Sequence, residues 1–194
     1  SALRSALADS KSALEMGAYA IGTGIMGDPQ ATDVLLKKLD QMREPGTRGF
    51  ISIALGLIDA RASIAPIQEL VKSSKYQPDL LKSAAIGLGL LGDKQLVPEL
   101  VDMLDEAKGL ASQASIATAL GFIGDRRSID PLAEMLRDQD KTANARAFAA
   151  VALGIVADKE MLPWNAKISV DINYRANTQT LTDNSQGTGI LDIL

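Results

Sequence analysis

Two glycine triads in this chain have the spacing of a phosphate-binding turn. Gly22-Thr23-Gly24-Ile25-Met26-Gly27 and Gly87-Leu88-Gly89-Leu90-Leu91-Gly92 both fit G-x-G-x-x-G. Between a strand and a helix, that spacing aims backbone N–H groups at a pyrophosphate. Carboxylates gather at Asp102, Asp105 and Glu106, with Glu99 one turn earlier, and oxygens so grouped could take a calcium ion. Arg126-Arg127 in a turn, with Arg48 and Arg146 at matching phases of two repeats, could ladder along one edge to meet an acidic partner, and a solvated edge is the simpler reading. Other chemistry is missing from the start. With no histidine and no cysteine, a histidine-based triad, a thiolate nucleophile, a disulfide framework and the usual zinc ligands are all excluded. No catalytic residue, cofactor site or metal site is expected.

The elements that must position these groups follow a repeat. Gly24, Gly56, Gly89, Gly121 and Gly154 stand at one phase of one pattern, separated by 32, 33, 32 and 33 residues. A period in the low thirties marks a solenoid, which builds a surface rather than a cavity. Small residues (Ala20, Ser52, Ala85, Ala117, Ala150) precede each marker glycine, interleaved with Ile21, Ile53, Ile86 and Val151. Ile25, Leu57, Leu90, Phe122 and Ile155 follow it. A segment apolar on nearly every side predicts a buried helix. Glycine there costs about 1 kcal/mol relative to alanine, so its recurrence predicts a neighbouring helix in close approach.

Gly27, Gly92 and Gly124 are placed to end this first helix. Asp28, Asp93, Asp125 and Asp158 come next as N-caps, with Asp28-Pro29 combining a cap and a proline at the first helical position. A second, amphipathic helix follows on Val34-Leu35-Leu39, Ile67-Leu70-Val71, Leu100-Met103-Leu104 and Leu132-Met135-Leu136, with Pro66, Pro98 and Pro131 near its start. Its polar face carries Lys37, Lys38, Gln68, Glu69, Asp102, Glu134 and Arg137, the candidate partner-binding residues. Two units are irregular. Asp59-Ala60 stands where others read Gly-Asp, which predicts a different turn, and the third unit is one residue short between Asp93 and Pro98.

This frame disposes of most of the opening chemistry. The glycine triads fall inside and at the end of a helix, so the fingerprint is a coincidence of the repeat. The acidic cluster has no glycine-containing loop and reads as a solvated helix face. Phe50, Phe122 and Phe148 fall at core phases of their helices.

Ala119-Leu120-Gly121, Gly124-Asp125 and Pro131-Leu132 resemble the short HEAT repeats called PBS lyase HEAT-like repeats. The resemblance covers roughly residues 11–168. It implies an all-α, right-handed α-solenoid of about five two-helix HEAT-like repeats over residues 1–168. A non-helical capping or docking segment follows over 169–194. The repeat serves many unrelated functions. The expected one is a non-catalytic scaffold that binds a protein or peptide on the face lined by the second helices. The alternative is a bilin lyase-like or lyase-accessory protein, as the family name implies. A bilin wants a wide, aromatic-walled pocket, and only 4% of residues are aromatic. Deoxyhypusine hydroxylase shares the repeat, but its iron sites need histidine.

A net charge of −4 with no basic block disfavours nucleic acid, including the basic groove of HEAT-type glycosylases. No apolar run is long enough to span a bilayer. The chain begins at Ser1, which fits a processed form; a cytoplasmic setting is slightly favoured, with export after leader removal also open. Beyond Pro163-Trp164 the helical pattern stops, and Ile168, Val170, Ile172 and Tyr174 alternate with polar residues as in a strand. Ile190-Leu191-Asp192-Ile193-Leu194 ends the chain, and both apolar clusters are expected to cover the fifth repeat.

Overall fold

Each marker glycine lies in the C-terminal half of a long helix, and each of these helices turns back into a shorter one wherever the next helix is described. The computed structural model describes residues 2–159. In chain order the helices are α1 (Ala2–Asp9), α2 (Ala13–Ile25), α3 (Thr32–Gln41), α4 (Pro45–Leu57), α5 (Ile64–Ser73), α6 (Pro78–Leu90), α7 (Val97–Glu106), α8 (Leu110–Ile123), α9 (Ile129–Arg137) and α10 (Ala143–Lys159). The pairs α2–α3, α4–α5, α6–α7 and α8–α9 are the expected hairpins, and α10 is the first helix of a fifth unit. The architecture is an all-α solenoid, with no strand among the described residues.

The first helices α2, α4, α6, α8 and α10 stack on one another in order and make the most extensive contacts in the molecule. Glycine sets their spacing. A Cβ on Gly89 would lie 2.5 Å from the Phe122 carbonyl oxygen, and one on Gly87 would lie 2.5 Å from that of Ser52. On Gly56 it would meet the Gly87 oxygen at 2.8 Å, and on Gly121 the Ala152 Cα at 3.2 Å. These neighbours are backbone and cannot rotate aside. The helix-interior glycines therefore serve close approach, as their recurrence predicts. Between the two layers lies an aliphatic core that includes Leu35, Ile51, Leu55, Ile67, Leu88 and Leu100.

Left-handed residues close the first helices. Gly27, Gly92 and Gly124 have φ of 60°, 69° and 65°. The next N–H reaches back into the last turn, Asp28 to the Thr23 oxygen at 3.2 Å and Asp93 to that of Leu88 at 3.0 Å. The second unit was expected to turn differently and does not. Asp59 takes φ 53°, and Ala60 N–H donates to the Leu55 oxygen at 3.0 Å. Aspartate is among the few residues that tolerate this region. The Asp59 carboxylate also sits 2.7 Å from Arg61 Nε.

Asp28 and Asp125 cap the 3-10 turns that open onto α3 and α9, accepting from Gln30 N–H and Arg127 N–H. The shortened third unit has no such turn, and its Asp93 accepts instead from Gln68 Nε2 at 2.8 Å. Asp158 does not open a second helix after a turn, because it lies inside α10. Ala157 replaces the turn glycine, so α10 runs on through Asp158 to Lys159. At the other end α1, which the repeat pattern does not contain, packs on α2 and buries Leu7. Trp164, the alternation over 168–174 and the cluster at 190–194 lie outside the described residues.

Candidate interaction faces

Counted from the marker glycine, Lys37, Glu69, Asp102 and Glu134 share one register position on α3, α5, α7 and α9. All four are exposed, and three residues further on Asp40, Lys72, Asp105 and Arg137 form a second exposed column. Five of the seven candidate residues therefore lie on one polar face. The other two turn inward. Lys38 Nζ donates to the Ser10 oxygen at 3.1 Å, tying α3 to the link before α2, and Gln68 Nε2 donates to Asp93, tying the second unit to the third.

Other cations do the same at the turns, and the sequence reading missed this. Arg61 Nη1 donates to the Leu91 oxygen at 2.7 Å, and Lys94 Nζ to that of Gly124 at 3.1 Å. Each places positive charge on the last carbonyls of the next unit's first helix, where the helix dipole favours it. Arg61 and Lys94 occupy the same register position, which is the signal that could have revealed them. Arg127, read from the sequence as part of a solvated edge that could also meet an acidic partner, is likewise engaged. It donates to the Lys94 oxygen at 2.7 Å and to Asp125 through Nε at 2.9 Å. Hydrogen bonding from the Arg127 side chain holds the Asp125 carboxyl below its ordinary range.

The acidic cluster is a solvated, paired surface. Glu99 stands 3.6 Å from Lys72 and Glu106 2.5 Å from Lys75, and the described residues contain no group suited to hold a metal ion. Arg48 and Arg146 are drawn into the body rather than onto an edge, the Nε of each buried without a hydrogen-bond partner. Burial, with Arg43 nearby, lowers the Arg48 pKa. Clefts of about 340 to 450 Å³ open on the surface, each with at most one aromatic side chain in its wall.

Around the marker glycines the exposed side of the first helices is apolar, which corrects the expectation that these segments are buried all round. Ile25, Leu57 and Leu90, directly after their marker glycines, are 73%, 41% and 44% exposed. Phe122 and Ile155 at the same position are partly buried, as are Ile21, Ile53, Ile86 and Val151 one turn earlier. Phe50 is 46% exposed and Phe148 partly buried, so neither is the core residue its phase predicted. The residues after the glycines form a continuous ridge. Leu57 Cδ1 lies 3.1 Å from where a Gly24 Cβ would stand, and Leu90 Cβ lies 2.9 Å from where a Gly56 Cβ would stand. Leu57 and Leu90 thus lean on the glycine of the unit before.

Residues 112–138, from α8 through its turn to the end of α9, match the family model of the PBS lyase HEAT-like repeat. This is a HEAT-like repeat protein. The three units before it carry the same hairpin in register with the matched one, down to the marker glycine and the left-handed turn. No curated protein matches the sequence. The HEAT-like units thus present two faces, a polar one on the second helices and an apolar one on the first. No described helix is long and apolar enough to cross a membrane.

Proposed function

We propose that this protein is a non-catalytic scaffold that binds a protein or peptide partner across the polar face of its second helices. The observation that carries the reading is the pair of exposed columns from α3 to α9, spaced one unit apart as a solenoid surface requires. Glu69, Asp102 and Glu134 make the first column acidic over three consecutive units, which suits a basic segment of the partner. Neither Lys38 nor Gln68 belongs to the proposed contact, since both are used within the solenoid. The lyase-like reading gains little from the geometry, because none of these clefts has more than one aromatic side chain in its wall.

The test is affinity capture by the full chain and by a triple variant, Glu69→Lys with Asp102→Lys and Glu134→Lys. The expected result is a partner held by the parent, lost from the variant and recovered when the salt of the parent's wash is kept low, with an unchanged melting temperature. A partner held equally by both proteins would refute the proposed face. Turnover of a small molecule by the purified chain would refute the scaffold reading itself.

A further inference from the structure

The apolar ridge on the first helices calls for a covering. Ile25, Leu57 and Leu90 are large, exposed and contiguous through the glycines beneath them, and no charged residue interrupts their register position. Exposed apolar stretches of this kind mark binding surfaces. The chain itself supplies material to cover it. The described part of α10 reaches Lys159 on the same edge of the solenoid as the ridge, since the ridge residues lie toward the C-terminal ends of their first helices. Residues 160–194 continue from that point.

We infer that residues 160–194 fold back along this ridge, from Ile155 toward Leu57, rather than covering only the end of the fifth unit. Reach allows it. Neighbouring helices are about 8–10 Å apart, so Leu90 on α6 is about 20 Å from α10. At about 3.3 Å per extended residue, residues 160–167 alone cover about 26 Å. Pattern supports it too. Drawn out, Ile168, Val170, Ile172 and Tyr174 present apolar side chains on one side while Ser169, Asp171 and Asn173 face water. A chain lying on a one-sided apolar ridge needs that alternation. Ile190, Leu191, Ile193 and Leu194 supply a second apolar set after the polar stretch. The inference concerns the face opposite in character to the partner columns, and it stands whether or not they bind a partner.

The chain has no cysteine, so a single introduced thiol reports on its own surroundings. Leu57→Cys, Leu90→Cys and, as an exposed control on α5, Ala65→Cys are labelled with a maleimide in the full chain. Each is repeated with Ile168→Asp and Ile172→Asp, and with Ile190→Asp and Ile193→Asp. Both ridge thiols should react at least about tenfold more slowly than the control, the factor that 1.4 kcal/mol of closure produces. The protection should vanish in at least one aspartate background and should not depend on protein concentration. Alanine replaces aspartate if a charged variant does not fold, with the same interpretation. Ridge thiols as reactive as the control would overturn the inference. So would protection that survives both tail variants or rises with concentration, which would assign the covering to a second copy.

Discussion

Between α6 and α8 the closest approach is backbone against backbone, with Gly89 under the Phe122 carbonyl. Between α5 and α7 it is side chain against side chain, with Lys72 reaching Glu99 at 3.6 Å. The two layers share a period but are joined by different physics. Successive first helices touch along their length, and contacts between successive second helices are sparse. Spacing in the first layer is fixed by atoms that cannot rotate, so a single added carbon must move a whole helix. In the second layer long polar side chains span the gap, and their positions can change without moving the backbone. The first layer therefore sets the geometry of the solenoid, and the second is the layer whose surface can vary.

The most severe way to break this contrast is to fill the first layer. Gly89→Leu should destabilise the protein by about 1–3 kcal/mol or more, as overpacking does, and thermal unfolding would record it. Gly154 carries the comparison to the end of the stack. No described residue comes within 4 Å of its Cβ position, so Gly154→Ala should raise stability by up to about 1 kcal/mol through helix propensity alone. Equal effects at the two glycines would show that close approach is not what the glycine phase provides.

A smaller loss is expected at the turn that joins the layers. Asp125→Ala removes a cap and should cost about 0.5–2 kcal/mol, measured by denaturant unfolding. The pH dependence has a definite sign. Asp125 binds its proton more weakly in the folded protein than at its ordinary value of 3.8. Its contribution is therefore complete above 3.8 and is lost as pH falls through that value toward the depressed one. The parent and Asp125→Ala should converge in stability in that acid window and differ above it.

Asp59→Gly should raise stability by about 0.5–1 kcal/mol. It relieves a left-handed aspartate, against the greater freedom of glycine in the unfolded chain. A drop would mean that the exposed Arg61 contact matters more than the backbone conformation. The mildest change belongs to the second layer. Lys75→Ala removes an exposed pair with Glu106 and should leave the melting temperature unmoved. A measurable fall there would erase the distinction between the layers.

Much of this was legible in the residues. The glycine phase, the hairpin of each unit and the caps at Asp28 and Asp125 could all be read from local chemistry, because each depends on a few neighbouring positions. The Asp59 turn was misread, since only the backbone demand of the surrounding units forces aspartate into the left-handed region. Asp158 was misread for the converse reason. Without a glycine before it, nothing turned the chain, and α10 continued. Lys38 and Gln68 looked like surface residues on their own helix, but their partners Ser10 and Asp93 lie about 25 or more residues away in the chain.

The sequence by itself determined that this chain is a stack of HEAT-like helical hairpins, because a repeated local pattern needs only neighbouring residues to agree. Which face of each helix meets water was decided by the tertiary structure. Ile25, Leu57 and Leu90 are as apolar as any core residue, yet the stack leaves all three exposed. Arg61 and Lys94 likewise acquire their role only when the next unit brings a helix end within reach. Periodicity fixes what each unit is, and stacking fixes which of its side chains are left facing outward.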